Sequence, residues 1–390
     1  MEENVKSCVV GIDISVKRTT MAIVDVRGNI IAKDFFATSD YPNVNEYVTV
    51  LSEKIIMLTE ANGGYDKIRS IGMSSPSANF LTGCIENAAN LPWKGIVPLA
   101  AMLRDRMGIA VALGNDAHVT ALGEYTYGSA HGLRNFIIIT LGHGIGSCIF
   151  SDGKPHFGVD GFAGEIGHIC VEHDGWSCGC GRKGCLEAYC AHKGIIRTAR
   201  ELMENSDRAS KMRSLDELTP RTIVECCNAG DELAIEVFRR TGERLGIAMA
   251  SYASLFDPEA IIFTGGISNA GKWLFEPAYE AFEGHVFRNI KGRVKFLHST
   301  IDDRERDVSF DVVEDMLVES LLNSIKQPMP CIGNTASEDD GLRVEQCGIS
   351  CHDDAEPFAR NAIHLLGHLV ALVAAFCDGA RTQSTERAHE

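Results

Sequence analysis

A cluster of three cysteines is the strongest chemical signal in the sequence. Cys178, Cys180 and Cys185 are separated by glycines, which let the backbone turn tightly enough to bring three thiols together. Zn²⁺ prefers four thiolate or imidazole ligands in a closed tetrahedron. The segment therefore predicts a zinc site whose fourth ligand is a nearby histidine, His168 or His173. The alternative is a loop of free thiols without a metal.

Two carboxylates and an imidazole flank this cluster along the chain. Glu165 and His168 are three positions apart and can face one cavity, and Glu187 follows the last cysteine by two positions. If the cysteine loop folds back on this segment, the three groups surround one pocket. Such groups suit a ligand with many hydroxyls, because charge-assisted hydrogen bonds orient it. The alternative is a solvated surface cluster.

A polar pair, Asn115 and Asp116, follows an apolar strand predicted over 110–113. In open α/β sheets, ligands bind at the carboxyl ends of the strands. A carboxylate there can accept the proton of a hydroxyl that attacks a phosphoryl group. Asn and Asp are also favoured helix N-caps, and both interpretations can hold for this pair.

Two glycine-rich turns have backbone amides that could bind phosphate groups. Gly142, Gly144 and Gly146 lie between two predicted strands, and Gly265-Gly266 follows a buried strand. The first turn loosely resembles a dinucleotide fingerprint, but a strand rather than a helix follows it, and it lacks the lysine of a P-loop. Neither turn identifies a nucleotide site by itself.

The elements that must position these residues alternate between strands and helices. Apolar runs predict a three-stranded meander over 9–14, 20–26 and 30–37. The further predicted strands are 68–73, 110–113, 136–141, 147–150 and 260–264, and the predicted helices are 44–59, 98–107, 185–203 and 231–256. Because meander, helix and strand occur twice, the sequence predicts a duplicated unit in an α/β fold.

Composition excludes several other classes of protein. The chain has 390 residues, 45% of them hydrophobic, which suits two domains of ordinary size. A net charge of -16 argues against a broad nucleic-acid footprint. Residues 1–7 are polar and predict no secretory signal, and the apolar run 362–377 is shorter than a membrane span. We therefore expect a cytoplasmic protein with no membrane partner.

Together these motifs resemble the ROK family, named for repressors, open reading frames and sugar kinases. The resemblance covers roughly residues 8–298 and is most specific at Glu-Ile-Gly-His, 165–168, followed by Cys-Gly-Cys-Gly-Arg-Lys-Gly-Cys-Leu-Glu, 178–187. It implies an actin-like ATPase (ribonuclease H-like) fold, with two α/β domains flanking a cleft. It also implies ATP, Mg²⁺ and a structural Zn²⁺ as cofactors, and by analogy a homodimer.

The resemblance assigns roles residue by residue. The implied metal ligands, which favour His168 over His173, are His168, Cys178, Cys180 and Cys185. The implied sugar contacts, with Asp116 as general base, are Asn115, Asp116, Glu165, His168 and Glu187. The implied phosphate and adenosine positions are Asp13, Gly142, Gly144, Gly146, Gly265 and Gly266. The segment 76–93 resembles the loop that closes over the sugar in glucokinase-like members.

Both phosphate loops depart from the family pattern. The first is usually Asp-x-Gly-Gly-Thr, whereas this chain has Asp-Ile-Ser-Val-Lys at 13–17. Val16 places a β-branched side chain where the backbone should approach phosphate, while Lys17 offers a compensating point charge. His143 stands where the second loop usually has threonine. The departures fall on the ATP side, and the sugar side keeps the pattern.

The resemblance implies ATP-dependent phosphorylation of a hexose, with glucose and its 6-hydroxyl as the default. The first alternative is a sugar-sensing protein with weak turnover. The second is a ROK repressor without its DNA-binding domain, which the acidic charge and the short segment before Gly11 disfavour. We expect an N-terminal domain over 1–116, a larger domain over 117–300, and a tail over 301–390. The tail has a predicted loop, 328–354, and a predicted helix, 357–378, that could pack on the N-terminal domain.

Overall fold

The computed structural model describes residues 6–25, 29–88 and 90–300. The predicted loop 328–354 and helix 357–378 lie outside the described residues. Within the described part, no helix is long and apolar enough to cross a membrane.

Two five-stranded sheets form the framework of the fold. The strands are β1 (Cys8–Ile14), β2 (Arg18–Asp25), β3 (Ile30–Ala37), β4 (Ile68–Ser75), β5 (Ala78–Asn79), β6 (Cys84–Glu86), β7 (Ile96–Val97), β8 (Ala110–Asn115), β9 (Phe136–Leu141), β10 (Ile145–Ser151), β11 (Lys154–Pro155), β12 (Ala260–Thr264) and β13 (Lys295–His298). The first sheet has the order β3-β2-β1-β4-β8, and the second has the order β11-β10-β9-β12-β13.

The two sheets have the same topology. In each, three strands form an antiparallel meander and two further strands add in parallel beside the first strand of the meander. The predicted duplication is therefore confirmed. The strands β5, β6 and β7 form a small third sheet inside the segment that resembles the sugar loop.

Eight helices accompany the sheets in the described residues. They are α1 (Val44–Ala61), α2 (Leu99–Met107), α3 (Asp116–Tyr127), α4 (Glu187–Cys190), α5 (His192–Glu204), α6 (Pro220–Asn228), α7 (Glu232–Phe256) and α8 (Lys272–His285). The prediction of α1, α2 and α7 is confirmed. The sequence predicted neither α6 nor α8, and it indicated α3 only through the N-cap interpretation of Asn115 and Asp116.

The prediction of one continuous helix over 185–203 is wrong in one respect, because the helix is interrupted at Ala191. The backbone there is extended, with ψ 175°, so α4 ends and α5 begins at the next residue. The His192 N–H donates to the Gly142 carbonyl, 3.1 Å away. This bond ties the start of α5 to the first glycine turn. The interruption of the helix thus coincides with a tertiary contact. Helical periodicity in the sequence does not indicate such a contact.

Each sheet packs its apolar faces against helices. The larger core lies between the second sheet and α4 to α8, and includes the fully buried Phe238, Phe263 and Phe282. A separate core lies between the first sheet and α1 and α2, around Tyr47 and Leu51. Both cores leave the carboxyl ends of the central parallel strands free to present polar side chains.

Candidate active site

The four predicted metal ligands converge on one point. The ligand atoms of His168, Cys178, Cys180 and Cys185 all lie within 4.8 Å of one another. The Nδ1 atom of His168 is 3.6 Å from the Cys178 Sγ atom, and the Cys180 and Cys185 sulfur atoms are 3.7 Å apart. A tetrahedral zinc with Zn–S of about 2.3 Å and Zn–N of about 2.0–2.1 Å separates sulfurs by about 3.8 Å, and sulfur from nitrogen by about 3.6 Å. The donor set and its spacing fit zinc.

The alternative histidine lies away from this cluster. His173 is exposed, and its Nδ1 atom contacts the Asp174 carboxylate at 2.9 Å. The cysteine loop is closed by its own backbone, since Cys178 N–H donates to the Arg182 carbonyl at 2.8 Å. The geometry therefore favours His168 as the fourth ligand.

The two predicted carboxylates lie beside the cysteine cluster. Burial raises the pKa of Glu165, and the negative charge of Glu187 raises it further against the opposing effect of His168. One oxygen of Glu187 is 3.7 Å from the Cys178 sulfur, and the other accepts a hydrogen bond from the Ile145 N–H at 2.9 Å. Glu187 therefore connects the cysteine loop to the first glycine turn, a link that the sequence did not predict.

Asp116 is the first residue of α3 and is half-buried, with its Oδ1 atom shielded from solvent. Its Oδ1 atom has no hydrogen-bond partner among the described residues. Desolvation raises the pKa of Asp116 well above its usual range, and the nearby negative charge of Asp13 raises it further. The Asn115 side chain accepts a hydrogen bond from the Ala117 N–H at 3.0 Å, so it caps α3. Asn115 is thus the helix cap, and Asp116 is left with an unused carboxylate oxygen.

Strand register places Asp13 next to Asp116. In the parallel strands β1, β4 and β8, Asp13 pairs with Ser74, Ser74 with Gly114, and Ser75 with Asn115. The carboxyl ends of these three strands therefore meet at one edge, where α3 begins. The Ser74 hydroxyl donates a hydrogen bond to Asp13 Oδ1. Ser74 could not be predicted, because the register between distant strands cannot be read from one sequence.

The first glycine turn lies against the start of α3. A Cβ atom added at Gly146 would be 3.0 Å from the Ala117 Cβ atom, and one added at Gly144 would be 2.6 Å from Glu187. The turn thus touches both the Asp116 helix and the cysteine loop. The ring of the exposed His143 lies beside that of His192, tilted by 46°, with ring centroids 5.1 Å apart. Gly265 and Gly266 follow β12, the strand paired with β9.

The other predicted phosphate residues lie on the turn between β1 and β2. Ser15 closes this turn, because its N–H donates to the Arg18 carbonyl at 2.9 Å. Val16 and Lys17 are both exposed on it. Lys17 therefore lies on the turn that directly follows the strand of Asp13.

A contact between the sugar-loop segment and the second sheet was also missed. The Asn79 side chain donates to the Asp160 carbonyl at 2.7 Å. Phe80 and Phe157 stack with ring centroids 5.0 Å apart, and His118 of α3 meets the Phe157 ring edge-on at 5.2 Å. We call Asn79, Phe80, Phe157 and Asp160 the latch. It joins the segment around β5 to the loop that leads to Glu165.

Comparison with known proteins places the chain in a family. A model described as the ROK family matches residues 9–305. The chain belongs to the ROK family. A glucokinase of Halalkalibacterium halodurans is 32% identical to this ROK protein over 301 residues, 75% of this chain and 90% of the relative. The N-acetylglucosamine repressor of Escherichia coli O6:H1 is 30% identical over 57% of this chain and 55% of the relative.

Solved structures agree with this assignment. A ROK family glucokinase from Streptomyces griseus, in complex with glucose and AMPPNP, is 28% identical and matches with a TM-score of 0.64, covering 80% of this chain and 99% of that one. A ROK family transcriptional regulator matches with a TM-score of 0.70 at 23% identity, covering 83% of this chain and 81% of that one. These likenesses confirm the predicted actin-like ATPase fold.

Proposed function

We propose that this ROK protein transfers the γ-phosphoryl group of ATP to the 6-hydroxyl of a hexose, with glucose as the first substrate to test. The observation that carries the proposal is the buried Oδ1 atom of Asp116, which has no hydrogen-bond partner among the described residues. It lies beside Asp13 and the first glycine turn. The class of reaction, ATP-dependent phosphorylation of a hexose, is confirmed by glucokinase relatives.

Asp116 acts as the general base in this proposal. A base works best when its pKa approaches the operating pH, because it must be ionised and must also accept a proton readily. Desolvation and the charge of Asp13 move the pKa of Asp116 in that direction. The unpartnered oxygen is the acceptor for the sugar hydroxyl proton as the hydroxyl attacks phosphorus. The protein otherwise contributes positioning and charge stabilisation.

The sugar is oriented by the groups beside the cysteine loop. Glu165, His168 and Glu187 offer two carboxylates and one imidazole within electrostatic reach of one another, and Glu187 also accepts a hydrogen bond from the glycine turn. His168 directs its Nδ1 atom at the cysteine cluster, which leaves Nε2 for a sugar hydroxyl. With Asn115, these residues form the proposed sugar contacts. Hydroxyl stereochemistry would be read by their spacing.

Metal ions have separate places in this scheme. Zinc, held by His168 and the three cysteines, would fix the loop that presents His168 and Glu187 and would take no part in the chemistry. Mg²⁺ prefers carboxylate oxygens together with substrate phosphates, and Asp13 offers such an oxygen at the strand edge. The glycine turns around Gly142 and Gly265 would provide amides for the phosphates and the nucleoside.

The domain organisation extends the proposal. A boundary near Asn115–Ala117 would separate a domain over 1–116 from a domain over 117–300, each with one of the two sheets. Sugar binding would then close the cleft between them and exclude water, which competes as nucleophile. A homodimer, the absence of a nucleic-acid partner and a cytoplasmic location stay predictions.

A second function is favoured by the phosphate turns. Val16 is 39% exposed on the turn between β1 and β2, where a phosphate loop needs a close backbone approach. His143 is exposed on the other turn. A protein with these turns that binds the sugar but turns over ATP weakly would be a sugar sensor, and several relatives of this ROK protein are repressors.

A coupled ADP-release assay tests the proposal. The panel contains glucose, N-acetylmannosamine, N-acetylglucosamine, allose and fructose, each with Mg·ATP. We expect sugar-dependent ADP release with one of these sugars, and thermal stabilisation by the same sugar. Stabilisation by a sugar without ADP release would contradict the kinase and favour the sensor.

A further inference from the structure

We propose that Ser74 is a positioning residue of this site, whose hydroxyl holds the Asp13 carboxylate in the orientation that binds Mg²⁺ and the ATP phosphates. The inference rests on the proposed function of the site. It assigns a role to a serine on β4 that lies between the two carboxylate-bearing strands, β1 and β8.

The sheet fixes the geometry of the Ser74–Asp13 pair. Ser74 is directly opposite Asp13 in the parallel register, so both side chains project from the same face of the sheet. Ser74 is 4% exposed, and its hydroxyl donates to Asp13 Oδ1. Because sheet hydrogen bonds hold both backbones, the two side chains stay opposite each other, and the hydrogen bond limits rotation of the Asp13 carboxylate.

The bond leaves one oxygen of Asp13 for a ligand. Among the described residues, the hydrogen bond from Ser74 is the one side-chain contact found for the Asp13 carboxylate. In the described part of the chain Oδ2 has no hydrogen-bond partner, and the carboxylate of Asp116 is close enough for the charge of Asp13 to act on it. Two carboxylates so close repel each other, and without an anchor Asp13 would rotate away from Asp116. Ser74 opposes this rotation with a neutral donor that leaves the negative charge of Asp13 in place.

A Mg²⁺ ion held by Asp13 would need this arrangement. Mg²⁺ demands near-ideal octahedral geometry and is usually bound by one or two carboxylates plus substrate phosphates. Groups that hydrogen-bond to a metal-binding side chain fix its orientation, and their loss typically costs 10–100-fold in metal affinity or activity. Ser74 is placed to act on Asp13 in this way. Within the described residues, its side chain forms no hydrogen bond with the sugar contacts or the cysteine loop.

The same strand provides a matched control. Ser70 lies four residues before Ser74 on β4, so its side chain projects from the same face. It is equally buried, at 4% exposed, but its hydroxyl has no hydrogen-bond partner among the described residues. Ser70→Ala and Ser74→Ala therefore remove the same buried group from the same strand face, and only the second removes a bond to Asp13.

The experiment compares Ser74→Ala, Ser70→Ala and the unchanged protein. Isothermal calorimetry measures AMPPNP binding over a range of free Mg²⁺, which requires no turnover, and the coupled assay measures half-saturating Mg²⁺ and the sugar KM. For Ser74→Ala we expect Mg²⁺ affinity in the AMPPNP complex to fall about 10–100-fold, with the sugar KM changed less than about two-fold. For Ser70→Ala we expect both to stay within about two-fold of the unchanged protein.

Three results would overturn the inference. One is Mg²⁺ affinity in Ser74→Ala equal to that in Ser70→Ala. Another is an equal loss of Mg²⁺ and sugar binding, which marks a structural role. A third is the absence of Mg²⁺-dependent AMPPNP binding in the unchanged protein. If Ser74→Ala does not fold, Ser74→Cys keeps the shape with a weaker donor, and an unchanged Mg²⁺ affinity there would overturn the inference as well.

Failure of the proposed function is distinguishable from failure of this inference. A protein that binds Mg·AMPPNP with a Ser74-dependent affinity, but releases no ADP with any sugar, would refute the kinase and support the role of Ser74. A protein that turns over sugar with a Ser74-independent Mg²⁺ requirement would do the reverse.

Discussion

Substitution of Gly265 by alanine should disrupt the proposed nucleotide side of the site. Gly265 follows β12 with φ 88° and ψ 164°, a backbone conformation that is essentially restricted to glycine. An added Cβ atom would lie 2.5 Å from the Leu141 carbonyl oxygen, 0.5 Å inside the 3.0 Å limit that real Cβ contacts respect. The clashing partner is backbone of the neighbouring strand β9, so it cannot move aside like a flexible side chain.

The magnitude follows from these two effects. A non-glycine residue in this region costs about 1–3 kcal/mol, and the clash adds to it, so we expect a loss of about 3 kcal/mol in unfolding free energy. At about 2–4 °C per kcal/mol, Tm should fall by roughly 6–12 °C. Because the shift also moves the end of β9, where the first glycine turn begins, AMPPNP affinity should fall as well.

The neighbouring Gly266 is the control for this prediction. A Cβ atom there meets nothing within 4 Å, so Gly266→Ala should change stability by less than about 0.5 kcal/mol. Thermal denaturation and AMPPNP calorimetry on both variants test the expectation. Equal Tm values for Gly265→Ala and Gly266→Ala would refute the claim that close approach of β12 to β9 requires glycine.

Three further outcomes are expected. Removal of zinc by a chelator, or the substitution Cys180→Ser, should lower Tm and weaken sugar binding at least ten-fold. Metal analysis and calorimetry measure these effects. A metal-free folded protein with unchanged sugar affinity would contradict the zinc assignment. Burial lowers the pKa of His118 to about 4, so the unfolded chain, with an ordinary pKa of about 6.5, takes up this proton first as pH falls. Unfolding free energy should therefore drop by up to about 3 kcal/mol between pH 6.5 and 4. Urea titrations should show a smaller drop for His118→Gln. A variant of the exposed His131 should show the same drop as the unchanged protein. Phe157→Ala removes the latch ring that contacts both Phe80 and His118, and it should raise the sugar KM several-fold. The surface control Phe287→Ala should leave the sugar KM unchanged.

The cysteine cluster and its carboxylates could be predicted because their signals are local. Glycines between Cys178 and Cys185 permit a tight loop, and zinc chemistry needs few other assumptions. The convergence of Glu165 with Glu187 followed from the loop folding back on itself, and the structure places them within electrostatic reach. Spacing left open the choice between His168 and His173. The family resemblance favoured His168, and the structure places His168 among the three cysteines.

Other features depend on contacts between distant parts of the chain. The Ser74–Asp13 bond is set by the register of β1 and β4, and the Asn79–Asp160 bond joins positions 81 residues apart. No local pattern encodes either pairing. At Asn115 and Asp116, the sequence allowed both the cap and the base interpretation for either residue. Hydrogen bonding in the structure separated the roles: Asn115 caps α3, and Asp116 keeps an unused oxygen.

The most direct test of the proposed function is a comparison of binding and turnover in Asp116→Asn. The substitution keeps the shape of the side chain and removes its ability to accept the sugar proton as a base. We predict that calorimetry finds sugar affinity within about ten-fold of the unchanged protein, while kcat for ADP release falls by about 10²–10⁴-fold. Turnover by Asp116→Asn within a few-fold of the unchanged protein would contradict Asp116 as the base on which the proposed chemistry depends.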